Sequence, residues 1–349
     1  MKKLTLRSLL LLAGFLFSAG IIFILKIFFS LNISPGENEI VLYIPEGASY
    51  QQAMDSIKAH IPVRHPGSFD WIAKRKNYPA NVKPGRYVIA HKMSYIEIIN
   101  MFRSGDQVPV NITFNNIRTI HDLAAKIGGQ ISADSASIVD FLLDPGNYSA
   151  DGFNRENIIS VFIPDTYQFF WNTGPDDLYS RMLREYRRFW NEDRLSKAKE
   201  IGMKPVEVCT LASIVDDEAA KSDEKPRIAG VYINRLRKGI PLQADPTIKF
   251  AINDFSVTRV LRRHLAVDSP YNTYKYSGLP PGPIGCPTIS SIDAVLNAEQ
   301  HDFLYFVAKA DFSGYHHFSR TLSEHNRYAA IYQRELNKRR IFKIGRAHV

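Results

Sequence analysis

VEVCTLASIVDDEAAK, from Val206 to Lys221, is the stretch on which the reading turns. A proline at its head, Pro205, suits the first turn of a helix, where a missing N–H costs nothing. With Leu211 at zero and 100° per residue, Ile214, Val215 and Val208 fall within about 60° of it and define an apolar stripe. Asp216 and Asp217 fall off that stripe. Glu218, seven residues after Leu211, falls about 20° from its centre. A carboxylate on an apolar face is expensive unless it is paired or neutral. A carboxyl that holds its proton near neutral pH is what a general acid needs. The structural alternative is an ion pair with a buried arginine, Arg227 or Arg235, or a frayed helix end. The following loop, Leu242-Gln243-Ala244-Asp245-Pro246-Thr247, gathers an amide, a carboxylate and a hydroxyl around a proline, a lining suited to a polyhydroxyl ligand. Its plainer reading is an Asp-Pro turn that starts a helix at Thr247.

Outward from this helix the pattern is mixed. Helices are expected over Pro205–Lys221, Lys225–Arg237 and Asp176–Phe189, and a rigid Pro/Gly loop over Leu279–Pro287. Four pairs have the spacing of a capping box, in which a Ser or Thr and a residue three positions on cap each other: Ser49/Gln52, Ser94/Glu97, Thr119/Asp122 and Thr321/Glu324. Ser290 with Asp293 predicts a fifth capped helix. Phe303–Ala308 and Tyr315–Ser319 read as a hairpin. The segment 38–104 closes as strand, helix, helix, strand, helix and is compact enough for a subdomain, followed by a larger domain over 105–343. The order predicts an α+β fold.

The chain has 349 residues, 45% hydrophobic and 23% charged, which excludes wholesale disorder and leaves room for more than one domain. Two cysteines, Cys209 and Cys286, are too few for a disulfide framework or a cysteine-rich zinc site. A net charge of +9 would ordinarily suggest nucleic acid. The excess, however, sits at the ends: Lys2, Lys3, Arg7 and Lys26 without an acid in residues 1–30, and six Lys/Arg against Glu335 in residues 334–349. The 303 residues between are neutral, so no nucleic-acid partner is expected. Leu9 to Leu25 is free of charge and the apolar run extends to Phe29, long enough for an uncleaved transmembrane anchor over 9–30. The basic residues ahead of it place 1–8 in the cytoplasm and the rest outside, on the inner membrane. IGRAHV, 344–349, is what translation of a common sequencing adapter produces, so this tail is read as non-native.

LASIVDDEA (Leu211–Ala219), VYINRL (Val231–Leu236), LQADPT (Leu242–Thr247), SPYNTY (Ser269–Tyr274), GLPPGPI (Gly278–Ile284) and FSRTLSEHN (Phe318–Asn326), with IPDTY (Ile163–Tyr167), resemble the motif series of the membrane-anchored, YceG-like endolytic murein transglycosylases. The resemblance spans most of the chain from Gly105 on, and 38–104 is similar to the family's LysM-like subdomain. It implies cleavage of the MurNAc–GlcNAc bond inside peptidoglycan strands, leaving 1,6-anhydro ends, with Glu218 as catalytic acid and base and with no cofactor or metal. It further implies Gln243, Asp245, Asn272, Tyr274 and Glu324 as substrate-binding positions and the peptidoglycan synthesis machinery as a partner. Two rivals stand beside this: a noncatalytic glycan-binding scaffold, and a hydrolytic muramidase that uses Glu218 and Asp245 as a pair. His316, His317 and His325 fit no standard metal spacing.

Overall fold

The computed structural model describes residues 6–29, 39–90, 93–257 and 260–339. The tail 344–349 lies outside the described residues. Helices and short two-stranded sheets make up the fold, which is mixed α+β. The chain divides into two compact units.

The first unit runs to Asn111 and takes in Gln130–Ala133 and Gln168–Gly174. It begins with helix α1, Leu6–Phe29. Among the described residues no helix is long and apolar enough to cross a membrane. Strands β1 (Ile40–Ile44) and β2 (Gly85–Ile89) pair antiparallel with Ile40 opposite Ile89 and Ile44 opposite Gly85. Helices α2 (Tyr50–His60) and α3 (Pro66–Arg75) lie between them in sequence, and α4 (Tyr95–Ser104) follows. Alternate strand residues Leu42, Ile44, Tyr87 and Ile89 point into one core with Met54, Ile57, Phe69, Ile98 and Phe102, as the two-residue period of a half-buried strand requires. Ser49/Gln52 and Ser94/Glu97 form the expected reciprocal caps, each worth about 1 kcal/mol.

The second unit holds Ile112–Gly129, Asp134–Tyr167 and the chain from Pro175 on. Strand β3 (Val110–Phe114) pairs with β4 (Asp165–Phe169), and the Thr113 and Thr166 hydroxyls meet at 2.7 Å. Helices α5 (Ile120–Gly128), α6 (Ser135–Leu143), α7 (Pro175–Phe189) and α8 (Glu192–Glu200) lead to α9 (Pro205–Glu218). Every residue of α9 from Val208 to Val215 is buried, so it is a core helix rather than an amphipathic one. Packed on it are α10 (Lys225–Arg237), α11 (Asp245–Ala251) and, after the short α12 (Arg262–Leu265), α13 (Ile289–Leu296). Antiparallel β5 (Tyr305–Ala308) and β6 (His316–Ser319) form the expected hairpin, and α14 (Leu322–Lys338) starts at the Thr321/Glu324 box.

Three local expectations are corrected. Helix α9 stops at Glu218, not Lys221, because Ala219 turns to extended backbone, φ −91° and ψ 107°. Helix α13 is entered at Thr288 rather than Ser290, and the Asp293 carboxylate goes to Arg194 instead of back to a cap. Helix α11 opens at Asp245, two residues before Thr247, with Pro246 in its first turn.

The loop 278–287 is locked where it passes α9. Ile284 N–H donates to Ser213 Oγ at 3.0 Å, and Cys286 N–H to the Ile117 carbonyl at 2.8 Å. A Cβ at Gly282 would lie 1.9 Å from the Glu156 carbonyl oxygen, so that position admits only glycine. Cys209 on α9 and Cys286 on this loop are both free thiols and both buried, and burial pushes the Cys209 thiol up to about 12.

Candidate active site

The last turn of α9 carries three consecutive carboxylates, and the fold treats each differently. Asp216 is drawn inward. Its oxygens accept from Lys225 Nζ at 2.7 Å, Ser291 Oγ at 2.6 Å, Thr288 Oγ1 at 2.9 Å and Thr288 N–H at 2.9 Å. Burial alone would raise its pKa, but the Lys225 ammonium and these donors outweigh burial and hold it below the usual aspartate value. Asp217 forms a two-pronged pair with the Arg118 guanidinium, which its charge raises in turn. Glu218 accepts a hydrogen bond from a neutral donor, the Tyr232 phenol, whose Oη lies 3.1 Å from Glu218 Oε1. Asp216 and Asp217 are thus each bonded to a cationic side chain, and Glu218 takes the hydrogen bond of a phenol.

Helical phase singled out Glu218, but its distinction in the structure is its partner. With α9 buried all round, the stripe has no polar counterpart, and Asp216, placed off the stripe by phase, is 20% exposed at its side chain. Neither arginine considered as an ion-pair partner takes that part: Arg227 pairs with Glu299, and Arg235 donates to Gln243.

Helix α10 builds the next layer. Tyr232 and Arg235 are three residues apart and so project from one face. Arg235 is 5% exposed, with Nη1 donating to the Leu304 carbonyl at 3.4 Å and Nη2 to Gln243 Oε1. Its guanidinium also lies 5.4 Å from the Tyr305 ring centre, a cation–π contact. Gln243 sits in the left-handed region at φ 54°, its N–H bonded to the Thr273 carbonyl at 3.0 Å. Two residues on, Asp245 opens α11 and accepts from Tyr274 Oη at 2.6 Å.

Glu218–Tyr232 and Asp245–Tyr274 are therefore two tyrosine–carboxylate pairs in one electrostatic neighbourhood. Burial raises the Tyr232 phenol, helped by the Glu218 charge, and burial raises Tyr274, helped by Asp245 and then Glu218. Both phenols keep their protons and act as donors.

The remaining sequence-derived positions divide. Gln243, Asp245 and Tyr274 come together with Glu218 as described. Asn272 is fully buried: its amide nitrogen donates to the carbonyls of Leu265 (2.9 Å) and Val267 (2.7 Å), and its Oδ1 accepts from Tyr274 N–H (3.0 Å). It holds the loop that carries Tyr274 and presents nothing to a ligand. Glu324 caps α14, accepting from Arg320 N–H at 3.0 Å and Thr321 N–H at 3.4 Å. His316 pairs with Glu224 at 2.8 Å. Among the described residues no three or more His, Cys, Asp or Glu side chains are placed to hold a metal ion. Sequence reasoning passed over Tyr232 and weighed Arg235 only as a carboxylate partner. The available signal was a phenol and a guanidinium three apart, on one face of the VYINRL helix.

A cavity of about 890 Å³ is at the other end of α9, against Lys204, Pro205, Val206 and Glu207, with Tyr186 and Pro281 on its walls. A polar pocket of about 100 Å³ lies beside Arg118, Asp216 and Asp217. Volume alone would choose the start of the helix. The two tyrosine–carboxylate pairs mark the chemically equipped end.

A mixed α+β protein with a tyrosine-held glutamate ending a core helix, and a Gln/Asp loop beside it, defines a class with a carboxyl-based site. The chain belongs to the YceG-like family, whose family model matches residues 42–331. It is 30% identical over 312 residues to an endolytic murein transglycosylase of Bacillus subtilis, covering 85% of each chain. An endolytic murein transglycosylase of Streptococcus pneumoniae is 28% identical over 322 residues, 83% of this chain and 58% of that longer protein. In structure it is similar to a yceG-like protein of Listeria monocytogenes, with a TM-score of 0.55 and 28% identity over 84% of this chain and 99% of that one.

Proposed function

We propose that this protein is an endolytic murein transglycosylase that cuts the MurNAc–GlcNAc bond within glycan strands, with Glu218 as its single acid and base. The observation that carries the reading is Glu218 itself, a half-buried carboxyl that ends a core helix and is oriented by the Tyr232 phenol. In the first step Glu218 gives its proton to the glycosidic oxygen as the bond from C1 to that oxygen breaks. The resulting carboxylate then takes the proton of the same sugar's C6 hydroxyl as its oxygen bonds to C1. A 1,6-anhydro ring forms, no water is consumed, and Glu218 ends protonated as it began. One carboxyl suffices because the substrate supplies the nucleophile, whereas a hydrolase needs a second group to activate water. Tyr232, by occupying Oε1, fixes the rotation of the carboxyl.

Gln243, Asp245 and Tyr274 would contact the sugars flanking the cut bond. Residues 9–30 would anchor the chain in the inner membrane with the basic N-terminus inside, and 38–104 would act as a LysM-like glycan-holding module. Such an anchor would keep the site close to newly made strands and the machinery that extends them. The test is product identity. Incubated with glycan strands, the protein should release anhydro-muramyl ends, seen in mass spectra as products 18 Da lighter than hydrolytic ones, a mass equal to about one water molecule. Reducing muramic acid ends would point to the muramidase that uses Glu218 and Asp245, and intact strands to a scaffold. Protease added outside sealed cells should digest the chain beyond residue 38, and full protection would refute the proposed topology.

A further inference from the structure

Gln243 is in an unusual state for a glutamine. Its backbone is left-handed, φ 54°, a conformation that favours glycine or asparagine, so the position bears strain that a glycine would relieve. Its side chain is tied to Arg235, a guanidinium that is 5% exposed and whose named hydrogen-bond acceptors are both neutral, the Gln243 amide and the Leu304 carbonyl. A buried guanidinium that donates to an amide and a backbone carbonyl is an expensive way to fill a helix face that could carry a leucine. Arginine has donors only, so whichever end of the amide meets it must be the oxygen. That fixes the other end. The Nε2 group of Gln243 makes no hydrogen bond within the described protein and is presented as a pair of N–H donors. Tyr232 and Arg235 share one face of α10, and from that face Tyr232 bonds Glu218 while Arg235 bonds Gln243.

We propose that Arg235 is a positioning residue that polarises Gln243 into a dedicated N–H donor, and that this donor reads the carbonyl oxygen of a sugar's N-acetyl group next to the cut bond. The inference rests on the murein reading above and refines it, making 2-N-acetylation of the strand a condition for efficient cleavage. An acetamido oxygen accepts hydrogen bonds and suits a donor. A free 2-amino group is an ammonium near neutral pH, and it meets the same donor with like polarity. One neutral hydrogen bond gained or lost corresponds to about a tenfold preference.

The test uses the full-length protein with two strand preparations, one fully N-acetylated and one chemically de-N-acetylated. Wild type should cleave the acetylated strand with kcat/KM about tenfold higher. Gln243→Glu replaces the donor by an acceptor and gives Arg235 a true ion-pair partner, so the fold should be kept or tightened while the preference disappears or reverses. Gln243→Gly removes the donor and the backbone strain together and should bring the ratio close to one. Equal ratios in wild type and both variants would overturn the proposal. Binding of the two strands to the Glu218→Gln protein separates the failures. If that protein binds acetylated strands preferentially but wild type releases no anhydro ends, the reaction is wrong and the recognition stands. If anhydro ends appear and binding ignores acetylation, the recognition is wrong and the reaction stands.

Discussion

The two ends of α9 differ in kind. At its start lies a cavity of about 890 Å³, walled by Tyr186, Pro281 and the first helical turn, with Asp151 tied to Arg187 and Glu207 spent on capping Lys204. At its end there is little empty volume but a dense set of directed protons: Tyr232 on Glu218, Tyr274 on Asp245 and Arg235 on Gln243. A glycan is long and largely solvated and can be held in an open groove, so chemistry at the right atoms locates its site better than enclosure does.

Five substitutions test that contrast, in decreasing order of effect. Glu218→Gln keeps the shape and removes the transferable proton, so release of anhydro ends should fall about a thousandfold while strand binding persists. Retention of full activity would move the chemistry elsewhere. Lys225→Met strands the Asp216 carboxylate inside the protein and should destabilise it by about 3 kcal/mol in urea unfolding. The same pair has a pH signature. The folded pKa of Asp216 is depressed, so its contribution is complete above the unfolded value of about 4 and fades as pH falls through the folded one. The stability gap between wild type and Asp216→Asn should accordingly be widest above about pH 5 and narrow on acidification. A gap that widened toward acid would reverse the assignment. Tyr232→Phe deletes one neutral donor and should lower kcat about tenfold with KM little changed. Smallest of all, Met203→Ala at the large cavity should leave the cleavage rate within about twofold, as expected when Glu218 at the other end does the chemistry. A large loss would reopen the other end as the site.

Much of this was legible in the sequence because the relevant physics is local. Four capping boxes start helices where the Ser/Thr and the residue three further on said they would, and α10 runs from Lys225 to Arg237 as its pattern implies. Ser290 misled because Thr288, two residues earlier, enters the helix and Asp293 is claimed by Arg194 from a distant part of the chain. The location of Glu218 was legible, but its environment was not. Its tie to Tyr232 crosses 14 residues, and that of Asp245 to Tyr274 crosses 29, and no spacing rule reaches so far. Asn272 shows the same limit from the other side: a polar residue in a functional motif spends its whole amide on backbone groups that only the folded loop brings near.

The two buried thiols have a practical consequence. Cys209 belongs to α9 and Cys286 to the loop locked against it, and neither is accessible while that packing persists. A thiol-reactive dye added to the native protein therefore acts as a stopwatch for this packing: its rate of uptake reports how often α9 and the proline-rich loop part. Molecules caught opening would be counted without perturbing the site by a single substitution.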